Sequence, residues 1–308
     1  MEKIRIIVDT ASDITLEEAQ ALGIDLLPVT VVVKDKTYKE AYNMSKEEFW
    51  HILNTCDEMP STCQITPEQM MDAYKRALAD GFTHVIVVTI SSTGSGMYNN
   101  AHIAKSLLFE ELGECLTIEI IDSLAYSYLY GEPVMKAAQM VLQGADFQTT
   151  VDFLKDRLSR LEGYLCVFNL KYAKKSGRLS GVSAFVGEVL GFRPIMHLMN
   201  GRVYLVNKVR GEQEMLNKAV EMARSRAVNI ESQTVYAMFG DLPQDKKELF
   251  LEKVRTILRP ADIKEGKIGC SVSLNTGPLV CAVLFEGEKR LQYVDKASPQ
   301  NAPHAEKA

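Results

Sequence analysis

The chain has no apolar run that reaches the ~18–20 residues of a membrane-spanning helix. Its opening, MEKIRIIVDT, holds too short an apolar stretch for a signal peptide. A cytoplasmic protein is expected. No block of basic residues is present and the net charge is −5, so the electrostatic footprint of a nucleic-acid binder is missing. None of the six cysteines forms a CxxC pair, and most sit in apolar stretches as small buried hydrophobes. Reduced thiols are expected in that compartment. With five scattered histidines and no HExxH, a zinc site is not expected, and only a purely carboxylate metal site is left open.

What is present fits an ordinary globular protein. The 308 residues are 46% hydrophobic and 24% charged, enough for about two domains with their own cores. Ile4–Val8 reads as a buried strand ending at Asp9. Thr15 caps a helix that Gly23 ends, and Ile24–Leu27 and Val29–Val33 read as strands. Ser45 and Glu48 form a capping box, and Thr66–Pro67 opens a further helix after a loop over Met59–Pro67. Thr83–Ile90 is a strong strand, followed by the loop Ser91–Gly96, a helix to about Leu112 and the strand Thr117–Ile121.

Strands alternating with helices predict a doubly wound, mostly parallel sheet over residues 1–160. Residues 161–295 read as a second, mixed-sheet α/β domain. Its signals are a strand at Gly163–Phe168 and a basic helix with Lys171, Lys174 and Lys175. A hairpin follows around Asn200-Gly201, then the sequence helix, strand, helix, and two last strands around Asn275–Pro278. The Pro/Ala/Asn/Lys-rich residues 296–308 are expected to be disordered.

In such a sheet ligands sit beyond the carboxyl ends of the strands. Three hydroxyl-rich loops fall there: Asp9–Asp13, Ser91–Gly96 and Asp122-Ser123. In Ser91–Gly96 the glycines allow close backbone approach, Ser92 and Ser95 add hydroxyls, and the following helix favours an anion. A helix cap alone would also explain these serines. The Gly94-Ser-Gly96 turn followed by Asp122 is a partial dinucleotide fingerprint, but Asn99 stands where the third glycine belongs. A nucleotide- or phosphate-binding transferase is therefore the alternative. TGSGM is not the GxSxG of a hydrolase, and Asp9 and Asp13 read as capping residues.

The motifs IVDTASDIT (7–15), PSTCQITP (60–67), ISSTGSGMYNNA (90–101), IIDSLAYSYLYG (120–131), LKYAKKSGRLSG (170–181), NKVRG (207–211) and NTGP (275–278) occur in an order that resembles the DegV family of bacterial fatty-acid-binding proteins. The resemblance covers nearly the whole chain. It implies a binding protein rather than an enzyme, without a cofactor, holding a palmitate- or oleate-like fatty acid in a ligand cleft between the two α/β domains. It also implies a partner, a fatty acid kinase of the dihydroxyacetone-kinase type that makes an acyl phosphate for phospholipid synthesis. The family's head-group contacts fall on Thr62 and Ser95, with Ser92, Arg210 and Asn275 as secondary candidates. Two departures stand out: Ser61 and Cys63 flank Thr62, and Asn275 replaces a histidine common in the family, giving up the ability to become a cation.

A fatty acid needs a dry tunnel and a few donors at one end. At ~0.8 kcal/mol per buried CH₂ the tail gains on the order of 10 kcal/mol before association costs. The hydroxyl contacts contribute less and set register. The apolar segment Ala184–Met199 suits a tunnel wall, or equally a core under the hairpin. Lys174, Lys175 and Arg178 read as a solvated face, a partner contact or a transient membrane contact.

Overall fold

A computed structural model describes residues 2–176, 178–180 and 191–290. Fourteen strands are seen among them. In chain order they are β1 (Ile4–Asp9), β2 (Asp25–Leu27), β3 (Thr30–Val33), β4 (Lys36–Lys39), β5 (Ser61–Cys63), β6 (His84–Thr89), β7 (Thr117–Asp122), β8 (Leu161–Val167), β9 (Leu179–Ser180), β10 (Phe192–Met199), β11 (Arg202–Arg210), β12 (Thr234–Phe239), β13 (Asp262–Lys267) and β14 (Val280–Glu286). They form a four-stranded sheet in the order β2-β1-β6-β7, a three-stranded sheet β4-β3-β5, and a seven-stranded sheet β13-β12-β14-β8-β10-β11-β9.

The first sheet is all parallel. Its central strands are continuous apolar runs, as a sheet covered on both faces requires. The helices Leu16–Leu22 and Tyr128–Leu142 pack together, and Pro67–Ala79 packs on Met97–Leu112. Each helix start that the sequence marked is built as a cap: Thr15, Ser45 and Thr66 all form capping boxes.

The large sheet is mixed, and its side chains divide by the two-residue period of a strand. Leu165, Val167, Met196, Leu198, Met238, Val280, Ala282 and Leu284 join the core of the N-terminal sheet. Tyr164, Cys166, Ile195, Val235, Ala237, Phe239, Cys281 and Val283 form a second core against the helices on the far side. One face of the large sheet is therefore the partition between the lobes. The Asn200-Gly201 turn is built as the sequence predicts, with φ of 51° and 77° joining β10 and β11.

Three local expectations are corrected. The Met59–Pro67 loop contains a strand, because Ser61–Cys63 pairs with β3 and completes an antiparallel sheet outside the parallel one. Helices occupy Tyr128–Leu142 and Phe147–Leu158, where the sequence suggests no element. Gly131 and Pro133 mask the first of these helical patterns. Gly131 is there because its backbone crosses the Asp9–Asp13 loop: a Cβ would collide with the Ser12 carbonyl. Between the last two strands the chain forms a helix, Cys270–Thr276, from residues of low helix propensity, placed by packing against Lys46–Thr55 and Lys171–Ser176. Residues 296–308 and 184–190, the latter the first part of one expected tunnel wall, lie outside the described residues.

Candidate functional site

A cavity of about 690 Å³ lies between the lobes. Leu165, Leu198, Val203, Met238, Ala282 and Leu284 supply its apolar wall from the large sheet, and Ala11, Val29 and Ile90 face them from the N-terminal lobe. The period-2 arrangement that divides the cores also aims these side chains here. The volume is in the range of pockets that hold a small organic ligand.

One end of the cavity is polar and reaches the surface. β5 brings in Thr62 and Cys63, and the turn before the Met97–Leu112 helix brings in Gly94, Ser95 and Gly96. Gln64 joins the two: its Oε1 accepts the Gly96 N–H at 2.8 Å. Both glycines are sites of close approach. A Cβ on Gly94 would stand 2.5 Å from the Tyr126 hydroxyl, and one on Gly96 2.7 Å from Gln64 Oε1. Thr62 and Ser95 are half-buried, whereas Cys63, Gln64 and Gly96 are exposed.

The cavity's hydroxyls differ in where their protons go. Tyr126 donates to the Gly201 carbonyl at 2.9 Å, Ser271 to Glu40 Oε2 at 2.6 Å and Thr276 to the Gly277 carbonyl at 3.0 Å. Ser127 donates to Asp13, and the Thr66 hydroxyl caps its helix by accepting the Gln69 N–H at 3.3 Å. Among the described residues, the Thr62 hydroxyl has no partner and Ser95 Oγ only accepts, from Met97 N–H at 3.4 Å. These two retain a free proton to offer.

Two buried polar groupings hold the site in place. The Gly201 carbonyl, at the tip of the β10–β11 hairpin, accepts from Ser91 at 2.9 Å and from Thr93 as well as from Tyr126. The Gly201 N–H donates to the Leu124 carbonyl at 2.8 Å. The C-terminal lobe thereby fixes the loop that carries Ser95. Behind the opposite wall lie Asp9, Asp13 and Glu40, each at most 4% exposed. Asp9 accepts from Tyr130 at 2.6 Å, Ile90 N–H at 2.9 Å and Ala11 N–H at 3.1 Å. Burial, opposed by these bonds, raises its pKa to about 6. Burial also raises Asp13, against the pull of Lys46 at 3.1 Å, and Glu40, against Ser271. Among the described residues no cluster of His, Cys, Asp or Glu is arranged to hold a metal.

Thr62, Ser95, Asn275 and Arg178 line the cavity. Asn275 Nδ2 donates to the Ser271 carbonyl at 2.7 Å, and its Oδ1 is buried without a partner. Ser92 is exposed outside the lining, and its N–H donates to Asp122 Oδ1 at 3.0 Å. Arg210, at the end of β11, is exposed and also outside the lining. Lys174 and Lys175 are exposed on Lys171–Ser176, shortly before Arg178. Gln64, Tyr126, Ser127 and Ser271 were not singled out by the sequence, because nothing local marks their long-range bonds.

These features define a two-lobed α/β protein with a ligand cavity between its lobes. The chain belongs to the DegV family: the family model described as "Uncharacterised protein, DegV family" matches residues 3–288. A DegV domain-containing protein of Clostridium acetobutylicum is 31% identical over 288 residues, covering 93% of this chain and 100% of its own. One from Caldanaerobacter subterraneus is 29% identical, covering 93% and 99%. The fold matches a fatty-acid-binding DegV family protein from Thermus thermophilus with a TM-score of 0.82 at 22% identity, covering 93% of this chain and 100% of that one. It also matches a stearic acid-binding protein from Eubacterium ventriosum with a TM-score of 0.81 at 22% identity, covering 93% and 98%. No helix among the described residues is long and apolar enough to cross a membrane.

Proposed function

We propose that the protein holds one long-chain fatty acid, its tail in the interlobe cavity and its carboxylate between Thr62 and Ser95. The observation that carries this reading is the proton inventory: Thr62 and Ser95 both line the cavity, and neither hydroxyl donates a hydrogen bond to the protein. A carboxylate accepts such bonds strongly. The helix starting at Met97 adds partial positive charge beside Ser95. The apolar body of the cavity supplies the larger energy through the tail.

The same end reaches the surface at Cys63, Gln64 and Gly96, which suits presentation of the carboxylate to a separate kinase that makes an acyl phosphate. Lys174 and Lys175, shortly before Arg178 on the cavity lining, are the proposed partner contact. The protein itself then binds and presents, and performs no chemistry.

The nucleotide reading is disfavoured by two bonds. The Gly96 N–H that would hold a phosphate is given to Gln64. Asp122, the ribose partner of that reading, already accepts the Ser92 and Leu124 N–H groups at 3.0 and 3.1 Å.

The test is fatty-acid exchange beside thermal melting for the double variant Thr62→Ala, Ser95→Ala. Faster exchange with unchanged melting is expected, and unchanged exchange in a folded double variant contradicts the assignment. For the presentation step, Lys174→Glu with Lys175→Glu should slow acyl-phosphate formation by a dihydroxyacetone-kinase-type kinase and ATP while leaving bound fatty acid unchanged. Equal turnover would remove these lysines from the partner contact.

A further inference from the structure

The cavity has a second polar spot whose chemistry is opposite to that of its mouth. Ser127 and Ser271 line it beside Ala11, Val29 and Ile268. Ser127 donates its proton to Asp13 and Ser271 donates to Glu40. A serine oxygen whose proton is committed offers the cavity lone pairs alone. The commitment is well anchored. Asp13 is 4% and Glu40 2% exposed, and Glu40 also accepts the Ser271 N–H at 3.0 Å and the Thr10 hydroxyl at 3.0 Å. A Cβ on Gly269 would collide with both carboxylates, so their close spacing depends on glycine there.

An independent feature marks the same place. Ser127 has φ 57° and ψ −150°, a backbone region that glycine occupies freely and other residues occupy at a cost. Glycine would relieve that strain and leave a plain apolar wall. Serine keeps an oxygen at the lining instead, 7% exposed, with its N–H donated to the Ala11 carbonyl at 3.0 Å.

We propose that Ser127 and Ser271 form an acceptor subsite for a hydroxyl group on the acyl chain, so that the protein takes long-chain hydroxy fatty acids as well as plain ones. The proposal rests on the reading that the carboxylate sits between Thr62 and Ser95. An alcohol buried in a hydrocarbon tunnel without a partner is penalised. Here an oxygen that can accept its proton is already in the wall. The subsite also gives the cavity a polarity, because a carboxylate meeting only lone pairs, with Asp13 and Glu40 behind them, is repelled and is left to the donors at the mouth.

The experiment is a competition assay with delipidated full-length protein, measuring stearate against hydroxystearates whose hydroxyl is moved along the chain. The expected result is one position, or two adjacent ones, that binds within about threefold of stearate, while the remaining isomers weaken about tenfold or more. Ser127→Ala and Ser271→Ala should each weaken the favoured isomer about tenfold relative to stearate measured on the same variant. Ser127→Gly, which relieves the backbone strain, replaces the alanine variant if that one misfolds. Uniform weakening of all isomers, or variants that shift stearate and the favoured isomer alike, overturns the subsite. Failure of stearate itself to bind the wild-type protein would instead overturn the fatty-acid reading beneath it.

Discussion

Gln64 accepts the backbone N–H of Gly96 at 2.8 Å, and this bond ties the strand carrying Thr62 to the turn carrying Ser95. Thr62 sits on a strand of the three-stranded sheet and Ser95 in the loop after β6 of the parallel sheet, so their common position depends on cross-linking bonds rather than on either local fold. Gln64 itself is exposed, and the remainder of its side chain is not part of a core.

Replacing Gln64 with alanine should therefore loosen the mouth without unfolding the protein. Loss of one such hydrogen bond is worth about 1 kcal/mol, so fatty-acid dissociation should quicken roughly fivefold with little change in melting temperature. Stopped-flow exchange of a fluorescent fatty acid checks this. An unchanged rate would mean that Thr62 and Ser95 are held together by other means.

The Gly201 carbonyl gathers hydroxyls from Ser91, Thr93 and Tyr126, so a single backbone atom of the C-terminal lobe sets the loop of the N-terminal lobe. Gly201 has φ of 77°, and a Cβ there would stand 2.6 Å from Ser91 Oγ. Gly201→Ala should destabilise the fold by about 1–3 kcal/mol and speed ligand exchange as well. Asn200→Gly, at the neighbouring left-handed position with φ of 51°, should do neither. Calorimetry on the two variants separates a lobe latch from an ordinary turn.

Asp9 is 2% exposed, and burial raises its pKa from 3.8 to about 6 against the hydrogen bonds of Tyr130 and Ile90. The folded state thus binds a proton more readily than the unfolded state. Its contribution is fully present below about pH 4 and is lost as the pH rises through about 6. Wild-type stability measured relative to Asp9→Asn should fall by on the order of 3 kcal/mol between pH 4 and pH 7. Denaturant titrations at the two pH values check it. A difference that stays flat or rises with pH would contradict the sign.

Much of the architecture was legible because its signals are local. Thr15, Ser45 and Thr66 announce helix starts, HVIVVTI announces a doubly covered strand, and Asn200-Gly201 announces a hairpin. The candidate head-group pair was read from a resemblance, and the geometry then placed both residues on one cavity. What was not legible depends on partners far along the chain. Ser61–Cys63 is a strand because β3 offers an edge, and Cys270–Thr276 is a helix because two neighbouring helices pack on it. The same holds for Gln64 on Gly96, for the three hydroxyls on Gly201 and for Ser127 on Asp13, bonds that span 32 to 114 residues.

The central claim is that the space between the lobes is a dry slot filled by one hydrocarbon tail. Native mass spectrometry of the protein as purified from bacteria tests it most directly. The account predicts an added mass equal to a single long-chain fatty acid, released on denaturation. A protein that flies empty, and stays empty after incubation with palmitate or oleate, would contradict it.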